Sequence, residues 1–353
     1  MTIKSICRRF LGLVIFLSVS SVAWGQSQNT FDIRKPILFD TPEADAIVEK
    51  MQIFPEDDLW NTAIEEWPVH SNSDAMLESV GLDKPLRTNR DMNFVLVPPG
   101  QPKVAVKILV YPNESDHGPF PIPDNTPIEG WPAYFTEGRD KNFSPSERQK
   151  LFADYQANVE KTDADRHAIV IDPVNGKEYD FWQMTKTPQG WTCSCAAVFD
   201  LAKGHDRPKG WTSSDAAGLP LFPAIPRYDE FKNGEIKHAL RFTIRNSRKA
   251  YVAPATHQAG RSHDENLPRM GERFRLKADF DISGFSRESQ ILLTALKKYG
   301  MIVADNGIEM AISLSPDERI PVMHGELRRV KASDFEIVEA PSHHEKHEEP
   351  RSF

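Results

Sequence analysis

Hydrophobic residues recur at every second position along several short stretches of the chain. In Val104–Tyr111 the β-branched residues follow this spacing, which is the period of a strand with one face turned to a core. Similar runs predict further strands at Phe94–Pro98, His167–Asp172, Lys177–Gln183, Cys195–Leu201, Glu235–Ile244, Tyr251–Ala255, Arg273–Phe280, Met301–Ala304 and Met310–Leu314. Asn175-Gly176 lies between two of these runs and Asn233-Gly234 directly precedes another, and Asn-Gly between strands is typical of a hairpin.

Helical patterns are fewer. Asn72–Val80 begins with a capping residue, Ser286–Tyr299 has apolar residues on one face, and a glycine follows each of them, as is common at helix ends. Ser144–Val159 begins with a Ser-Pro pair suited to a helix start, but it is strongly polar. Strands and helices do not alternate in the βαβ manner. We therefore predict a mainly β fold, an antiparallel β-sandwich or jelly roll with a few peripheral helices.

The N-terminal residues have the composition of an export signal. Met1–Phe10 contains basic residues and no acid, and the apolar run Leu11–Val22 leads to the small residues of Ala23-Trp24-Gly25. This order is that of a secretory signal peptide, and the apolar run is shorter than a membrane span. An uncleaved anchor is the alternative. We expect a signal peptide at 1–25, an N-terminal lead at 26–57, a single β-rich domain at 58–340 and a disordered tail at 341–353.

The composition narrows the class of protein. Of the 353 residues, 39% are hydrophobic and 10% are aromatic, and the mean hydropathy is -0.49. These values exclude a polytopic membrane protein and a largely disordered chain. The net charge of -8 argues against a nucleic-acid binder, which needs a basic surface. The sequence also lacks the motifs of phosphate loops, dinucleotide-binding turns, α/β-hydrolase elbows and HExxH zinc sites.

Charged and aromatic side chains on predicted strands are the candidates for chemistry. Arg166 and His167 begin one strand, and His238 and Arg241 share another. Because side chains alternate between the two faces of a strand, one member of each pair has to face apolar neighbours. Burying several such groups is costly without a function. We therefore predict five catalytic residues, namely His167, His238, Arg241, Tyr251 and His257.

Three hypotheses fit these residues. In a polysaccharide lyase, Arg241 or Arg166 would neutralise a uronate carboxylate. His238 or His257 would then remove the C5 proton, and Tyr251 or a second histidine would protonate the leaving oxygen. The imidazoles could instead hold zinc or copper, or they could be structural groups bonded to main-chain carbonyls. We also expect four residues to contact the substrate, namely Arg166, His117, Asp116 and Trp211, and we assign no metal ligand and no cofactor.

Hydrolysis of a glycoside is the alternative to elimination, and it needs two carboxyl groups at the bond that breaks. Glu178 and Asp180 share one face of a predicted strand, and Asp229 and Glu230 are adjacent in the chain. Acidic residues are frequent in this sequence, so neither pair is specific. The patterns leave the choice between lyase and hydrolase open.

Five segments of the chain form a distinctive succession. They are Gly210–Pro220 (GWTSSDAAGLP), His238–Phe242 (HALRF), Pro254–His257 (PATH), Asn266–Gly271 (NLPRMG) and Tyr299–Gly307 (YGMIVADNG). This succession, within Asp58–Val338, resembles a group of exported microbial proteins. The resemblance implies export and does not imply any particular catalytic residue. Cys193, Cys195 and the polar Ser144–Val159 helix depart from the pattern of the group, which makes them poor candidates for a shared site.

These observations favour an exported protein, secreted or periplasmic, that acts on an extracellular polysaccharide or oligosaccharide as a lyase or a hydrolase. A non-catalytic carbohydrate-binding or cell-envelope protein is the first alternative, and a His-ligated metalloprotein is the second. We expect no nucleic-acid partner and no stable membrane insertion after removal of the signal.

Overall fold

The computed structural model describes residues 31–130, 143–157 and 165–340. The predicted signal peptide and the predicted tail at 341–353 lie outside these ranges. The strands are β1 (Ile37–Leu38), β2 (Arg87–Arg90), β3 (Phe94–Leu96), β4 (Val106–Ile108), β5 (Ala168–Asp172), β6 (Lys177–Trp182), β7 (Thr185–Thr187), β8 (Gly190–Cys193), β9 (Cys195–Asp200), β10 (Leu240–Ile244), β11 (Arg273–Leu276), β12 (Met301–Asn306), β13 (Ala311–Leu314) and β14 (Phe335–Val338).

The helices are short, and local sequence explains where they begin. They are α1 (Pro42–Val48), α2 (Ser73–Val80), α3 (Pro145–Ala157), α4 (Tyr228–Asn233), α5 (Arg287–Lys298) and α6 (His324–Leu327). At the start of α5, Ser286 accepts a hydrogen bond from the N–H of Ser289, which is the role of an N-cap residue. Within the described ranges, no helix has both the length and the apolar character needed to cross a membrane.

The described strands form three sheets. The order in the first sheet is β1-β3-β5-β6-β9, in the second β14-β11-β12-β10-β13-β2, and in the third β4-β8-β7. The mainly β fold with few helices is confirmed. The antiparallel part of the prediction needs correction, because β3–β5, β10–β12, β2–β13 and β4–β8 are parallel pairs. Each of these pairs is joined by a long connection, and parallel strands require one.

Sheet packing explains why β3 and β5 are apolar on both faces. Phe94 and Ile169 face a core that also contains Phe242 and Met301 of the second sheet. Alternate residues such as Val170 face a second core, which includes residues of the third sheet. The first sheet is therefore buried on both sides, as the near-continuous apolar sequence of β5 requires.

Four predicted strands are wrong in part or in whole. Val104–Tyr111 forms a strand only at Val106–Ile108, and Arg273–Phe280 only at Arg273–Leu276. The stretch Glu235–Ile244 forms a strand only from Leu240 onward. Asn233-Gly234 ends helix α4 and does not form a hairpin turn; Gly234 has a φ of 85°, and this left-handed conformation suits a helix C-terminus as well as a turn. The stretch Tyr251–Ala255 is irregular apart from an isolated bridge between Tyr251 and Met270.

The N-terminal lead has more structure than its sequence indicates. Ile37 and Leu38 pair with β3 as an edge strand, and α1 follows directly. Ala44 and Val48 of α1 are buried in the core shared by the two large sheets. The described part of the lead therefore packs against the β-rich domain.

Candidate functional site

Polar side chains from both large sheets meet where strands begin or end. β3 and β5 are parallel, with Phe94 opposite Ile169. Asp91, three residues before β3, and His167, directly before β5, therefore lie at the same end of these two strands. Asp91 also directly follows β2 of the second sheet, and its N–H donates to the carbonyl of Leu314 on β13 (3.3 Å). We call the resulting cluster the polar centre; its ionisable members are Asp91, Glu129, His167, Asp215, Arg241 and Asp305.

Arg241 on β10 is the principal cation of the polar centre. It is 2% exposed, and its Nε and Nη2 donate to the two carboxylate oxygens of Asp215, the first at 2.8 Å. Its Nη1 donates to the hydroxyl of Ser313 on the adjacent strand β13. Burial alone would lower the pKa of Arg241, but the charge and hydrogen bonds of Asp215 raise it above its ordinary value. Arg241 is therefore permanently charged and fixed in position.

A bulge in β12 helps to hold Asp215 beside Arg241. The register between β10 and β12 shifts by one residue after Phe242, and the shift leaves Ala304 without a partner on β10. The carbonyl of Ala304 accepts a hydrogen bond from the N–H of Ala217 (2.9 Å). This bond fixes the loop that contains Asp215, and bulges commonly re-aim chains next to functional sites.

The same loop contacts the segment before His257. The hydroxyl of Thr256 donates to the carbonyl of Trp211 (2.9 Å), and Nδ1 of His257 lies 2.8 Å from the carbonyl of Ala216. Gly218 has a φ of 76°, and a Cβ there would lie 2.5 Å from the carbonyl oxygen of Trp211, so glycine is required. The Gly210–Pro220 loop and the segment at Thr256 can therefore approach each other only because Gly218 has no side chain.

His167 and Glu129 form a buried ion pair. Nε2 of His167 lies 3.0 Å from the carbonyl of Ser214, and Nδ1 lies 2.9 Å from Oε2 of Glu129. Burial would lower the pKa of His167, but the hydrogen bond and charge of Glu129 raise it to about 9. Burial would raise the pKa of Glu129, but His167 lowers it below its ordinary value. His167 is therefore an imidazolium at neutral pH, with both N–H groups donated to acceptors.

Two carboxyl groups of the polar centre titrate near neutral pH. Burial raises the pKa of Asp305 to about 7, and the charge of Asp215 adds to this shift. Burial raises the pKa of Asp91 to about 6, and the charge of Glu129 adds to that shift. The charges of Arg241 and His167 lower both pKa values, so the two carboxyls lie in the field of the same two cations. Both aspartates are partly exposed.

Several buried polar atoms near these carboxyls have no hydrogen-bond partner within the described residues. They are one carboxylate oxygen of Asp91, both amide atoms of Asn93, the hydroxyl of Ser214 and the side-chain oxygens of Gln258 and Asn306. Buried polar atoms normally bond to protein, water or ligand. Asn93, Ser214 and Asn306 lie within two residues of Asp91, Asp215 and Asp305 in the chain, so unsatisfied polar atoms accompany three of the carboxyls of the polar centre.

The structure brings two of the five predicted catalytic residues together in the polar centre. His167 and Arg241 are both there, and His257 is joined to Ala216, the neighbour of Asp215. His238 lies apart: its ring nitrogens contact Glu230 (2.9 Å) and the carbonyl of Ala239 (2.8 Å). Tyr251 is partly exposed and packs against the apolar core.

The predicted substrate-binding residues are dispersed. Arg166 is buried and donates to the main-chain carbonyls of Met184 (3.1 Å) and Gln156 (3.0 Å), which is a structural role. Asp116 accepts from Arg207 (2.9 Å). The other two are His117, which is exposed, and Trp211, which is partly exposed and faces the guanidinium of Arg207 at 5.5 Å.

Four carboxyls of the polar centre are absent from the sequence-based candidates. Asp215 and Asp305 lie within the distinctive segments Gly210–Pro220 and Tyr299–Gly307, where an acid among small or apolar residues is the only available indication. Asp91 and Glu129 have no such indication. A group of three or more His, Cys, Asp or Glu side chains placed to hold a metal ion is not found within the described residues.

The function of the polar centre has to be inferred from its own geometry and charge. Its members come from six separate places in the chain. Asp91, Glu129 and Asp305 are its partly exposed carboxyl residues, and of these Asp91 and Asp305 have pKa values near neutral. Comparison of the chain with protein-family models, with curated proteins and with solved structures gives no match.

Proposed function

We propose that this protein is an exported hydrolase of extracellular polysaccharides or oligosaccharides, with the polar centre as its active site. The observation that carries the proposal is the presence in the polar centre of two carboxyl groups, those of Asp91 and Asp305, whose pKa values burial raises to about 6 and about 7. Hydrolysis of a glycosidic bond generally uses one protonated and one ionised carboxyl group. Environments that separate two carboxyl pKa values indicate which group is the acid.

The two aspartates then have complementary roles. Asp305, with the higher pKa, donates its proton to the glycosidic oxygen as the bond to the anomeric carbon breaks. Asp91, ionised at neutral pH, accepts a proton from the water molecule whose oxygen attacks that carbon. The carboxylates of the polar centre stabilise the positive charge that develops on the sugar ring. The products are a new reducing end and an alcohol.

The ion pairs set the charge of the centre and hold its parts in place. Arg241 and His167 keep the pKa values of Asp91 and Asp305 from rising further. Asp215 and Glu129 neutralise these two cations through the contacts described above. Because the cations are compensated and held by protein acceptors, they are preorganised and do not have to reorient during the reaction.

The lyase hypothesis has less support from this geometry. A lyase needs a cation free to pair with the substrate carboxylate and an unprotonated base. The Nε and both terminal nitrogens of Arg241 already donate to Asp215 and Ser313, and His167 has a pKa of about 9. Hydrolysis requires neither group to change its partners.

Non-catalytic carbohydrate binding remains the second candidate, and a pair of rings favours it. Tyr111 and Trp182 are partly exposed, and their ring centroids lie 6.1 Å apart. Partly exposed aromatic faces are suitable surfaces for the apolar face of a sugar ring.

The two large sheets share one core. This packing supports the further proposal that they form a β-sandwich.

The test is incubation of the purified protein with a panel of neutral and acidic polysaccharides. We expect new reducing ends without the ultraviolet absorbance of an unsaturated uronate, and we expect the Asp305→Asn variant to lose this activity. An absorbance increase would replace hydrolysis by elimination. Saturable binding without either product would favour the non-catalytic alternative.

A further inference from the structure

Arg207 connects the Gly210–Pro220 loop to the segment that follows β4. The side chain of Arg207 is 2% exposed. Its Nη1 donates to the carboxylate of Asp116 (2.9 Å), its Nη2 to the carbonyl of Glu114 (2.7 Å) and its Nε to the carbonyl of Thr212 (2.5 Å). Because all three nitrogens are bonded, the guanidinium holds the two segments in one arrangement.

The indole ring of Trp211 lies over this buried guanidinium. The central carbon of the guanidinium is 5.5 Å from the centroid of the ring, within the ~6 Å of a cation–π contact, and it also faces the ring of Phe199 at 5.7 Å. The hydroxyl of Thr256 donates to the carbonyl of Trp211 (2.9 Å). Trp211 is nevertheless partly exposed. Two of the predicted substrate-binding residues, Asp116 and Trp211, therefore meet at Arg207, and the ring is held in place while part of it faces solvent.

Two carboxylates around the same guanidinium have an oxygen to spare. Oε2 of Glu114 accepts from the N–H of Thr212 (3.2 Å), and Oδ2 of Asp116 accepts from Arg207 and from the N–H of Val198. The other oxygen of each carboxylate accepts no hydrogen bond within the described residues. The two side chains are 32% and 38% exposed, so a ligand can reach both carboxylates from solvent.

His257 adds a third acceptor. Its Nδ1 lies 2.8 Å from the carbonyl of Ala216, and since a carbonyl can only accept, Nδ1 carries the hydrogen. In the neutral ring Nε2 is then an acceptor. It lies 3.8 Å from Oε2 of Glu114, too far for a hydrogen bond, and both side chains are partly exposed. Hydroxyls on adjacent carbons of a sugar ring can donate one hydrogen bond to each of these two atoms.

The chemistry of this group matches an uncharged sugar. The C–H face of a sugar ring packs on an aromatic ring such as that of Trp211, and its hydroxyls donate to carboxylates in charge-assisted hydrogen bonds. Arg207 balances only one of the two negative charges of Glu114 and Asp116. The charge that remains disfavours an acidic sugar such as a uronate.

We propose that Glu114, Asp116, Trp211 and His257 form a binding site for an uncharged sugar unit of the substrate, which we call the Trp211 surface. The inference rests on the proposed function, since it assigns to the same glycan a unit bound outside the polar centre. The Gly210–Pro220 loop belongs to both places, because it also contains Asp215 of the polar centre. A glycan held on the Trp211 surface can thus present a neighbouring part of its chain to the polar centre.

The test is calorimetric titration of the purified protein with neutral hexasaccharides of glucose, mannose and xylose, and with oligomers of glucuronic acid and glucosamine as charged counterparts. We expect saturable binding of at least one neutral hexasaccharide. Trp211→Ala should weaken it by at least about tenfold, and Trp211→Phe, which keeps a flat ring, should weaken it less. Glu114→Gln should weaken it by at least about threefold, because a charge-assisted bond is lost.

The matched control is Tyr228→Ala. Tyr228 is also a partly exposed ring that faces a guanidinium, that of Arg319 at 3.9 Å, but it lies on helix α4, and its variant should bind as the wild type does. Binding should also perturb the near-ultraviolet absorbance of tryptophan in the wild type, and the perturbation should be absent in Trp211→Phe. This readout identifies the ring directly and does not depend on the stability of Trp211→Ala.

Asp305→Asn should bind the neutral hexasaccharide normally. Binding by a wild-type protein that does not hydrolyse any glycan would refute the proposed function and leave the Trp211 surface as a binding site, so the two failures can be told apart. The inference is overturned if no neutral hexasaccharide binds, if only the charged oligomers bind, or if Trp211→Ala binds as tightly as Tyr228→Ala.

Discussion

Asp215 accepts two hydrogen bonds from the guanidinium of Arg241, although the two residues are 26 positions apart in the chain. Both side chains are at most 3% exposed. A planar guanidinium and a carboxylate in this arrangement fix one another in direction as well as in distance. The pair therefore joins the Gly210–Pro220 loop to strand β10 in one orientation.

Removing the cation of this pair should strongly destabilise the protein. In Arg241→Ala the carboxylate of Asp215 stays buried without its counter-charge, and such a change costs about 3–5 kcal/mol. Urea unfolding measures the loss. The matched control is Arg245→Ala, because Arg245 forms an exposed pair with Glu309 whose loss should cost at most about 1 kcal/mol. Equal effects of the two variants would contradict the structural role of the buried pair.

Replacing the proposed proton donor should abolish most of the activity without unfolding the protein. Asp305→Asn keeps the size of the side chain and removes its proton, so kcat should fall by about 10²–10⁴-fold. Initial rates of reducing-end release measure the effect, and thermal melting checks the fold. Asp279→Asn, at an exposed position, should have wild-type rates. Retention of activity in Asp305→Asn would assign proton donation to another group.

The dependence of activity on pH should be bell-shaped. Activity should decline on the alkaline side as Asp305 loses its proton, near its pKa of about 7. It should decline on the acidic side as Asp91 becomes protonated, near its pKa of about 6. In Asp91→Asn the residual activity should lose its acidic limb; an unchanged limb would exclude Asp91 as the base.

The buried acids Glu178 and Asp180 should make the folded state less stable as pH rises. Both are completely buried on β6, and they accept the N–H groups of Phe222 (2.6 Å) and Leu221 (3.0 Å). Burial raises the pKa of Asp180 to about 7, and burial and the neighbouring acid raise the pKa of Glu178 well above its ordinary value. The folded state therefore binds protons more tightly than the unfolded chain does.

Linkage fixes the direction of the effect. The destabilisation is absent below the ordinary pKa of an aspartate and grows as pH rises from about 4 to about 7. We expect the melting temperature to be lower at pH 8 than at pH 5, with a smaller difference in Asp180→Asn. Asp305 acts in the same direction, so the variant reduces the slope and does not remove it. A slope identical to that of the wild type would contradict the raised pKa of Asp180.

Local interactions made the regular elements predictable. Helix α5 extends over Arg287–Lys298, close to the predicted Ser286–Tyr299, because its cap and its apolar face are encoded within the segment itself. Strands β5, β6 and β9 were predictable for the same reason, since alternation or continuous apolar character is visible in consecutive residues. The helix α4 was missed because Asn233-Gly234 is compatible with both a hairpin and a helix end.

The candidate site was predictable only in part. His167 and Arg241 were predicted as site residues because each lies among apolar residues on a predicted strand, and both belong to the polar centre. Nothing local shows that Arg241 is already paired with Asp215, or that His167 is held as an imidazolium. Asp91 and Glu129 lie in irregular segments. Such segments have no repeating pattern of apolar residues from which the burial of a side chain could be predicted.

The sequence by itself determined the β-rich class, the principal helices and the fact that charged groups would be buried. Periodicity and capping act over a few residues, so they can be recognised in a single stretch of chain. The tertiary structure alone decided which carboxyls meet. That outcome depends on the parallel pairing of β3 with β5 and on the bulge after Phe242, which bring distant residues together. Burial and neighbouring charges then shift the pKa values of Asp91 and Asp305, and neither influence exists until the chain is folded.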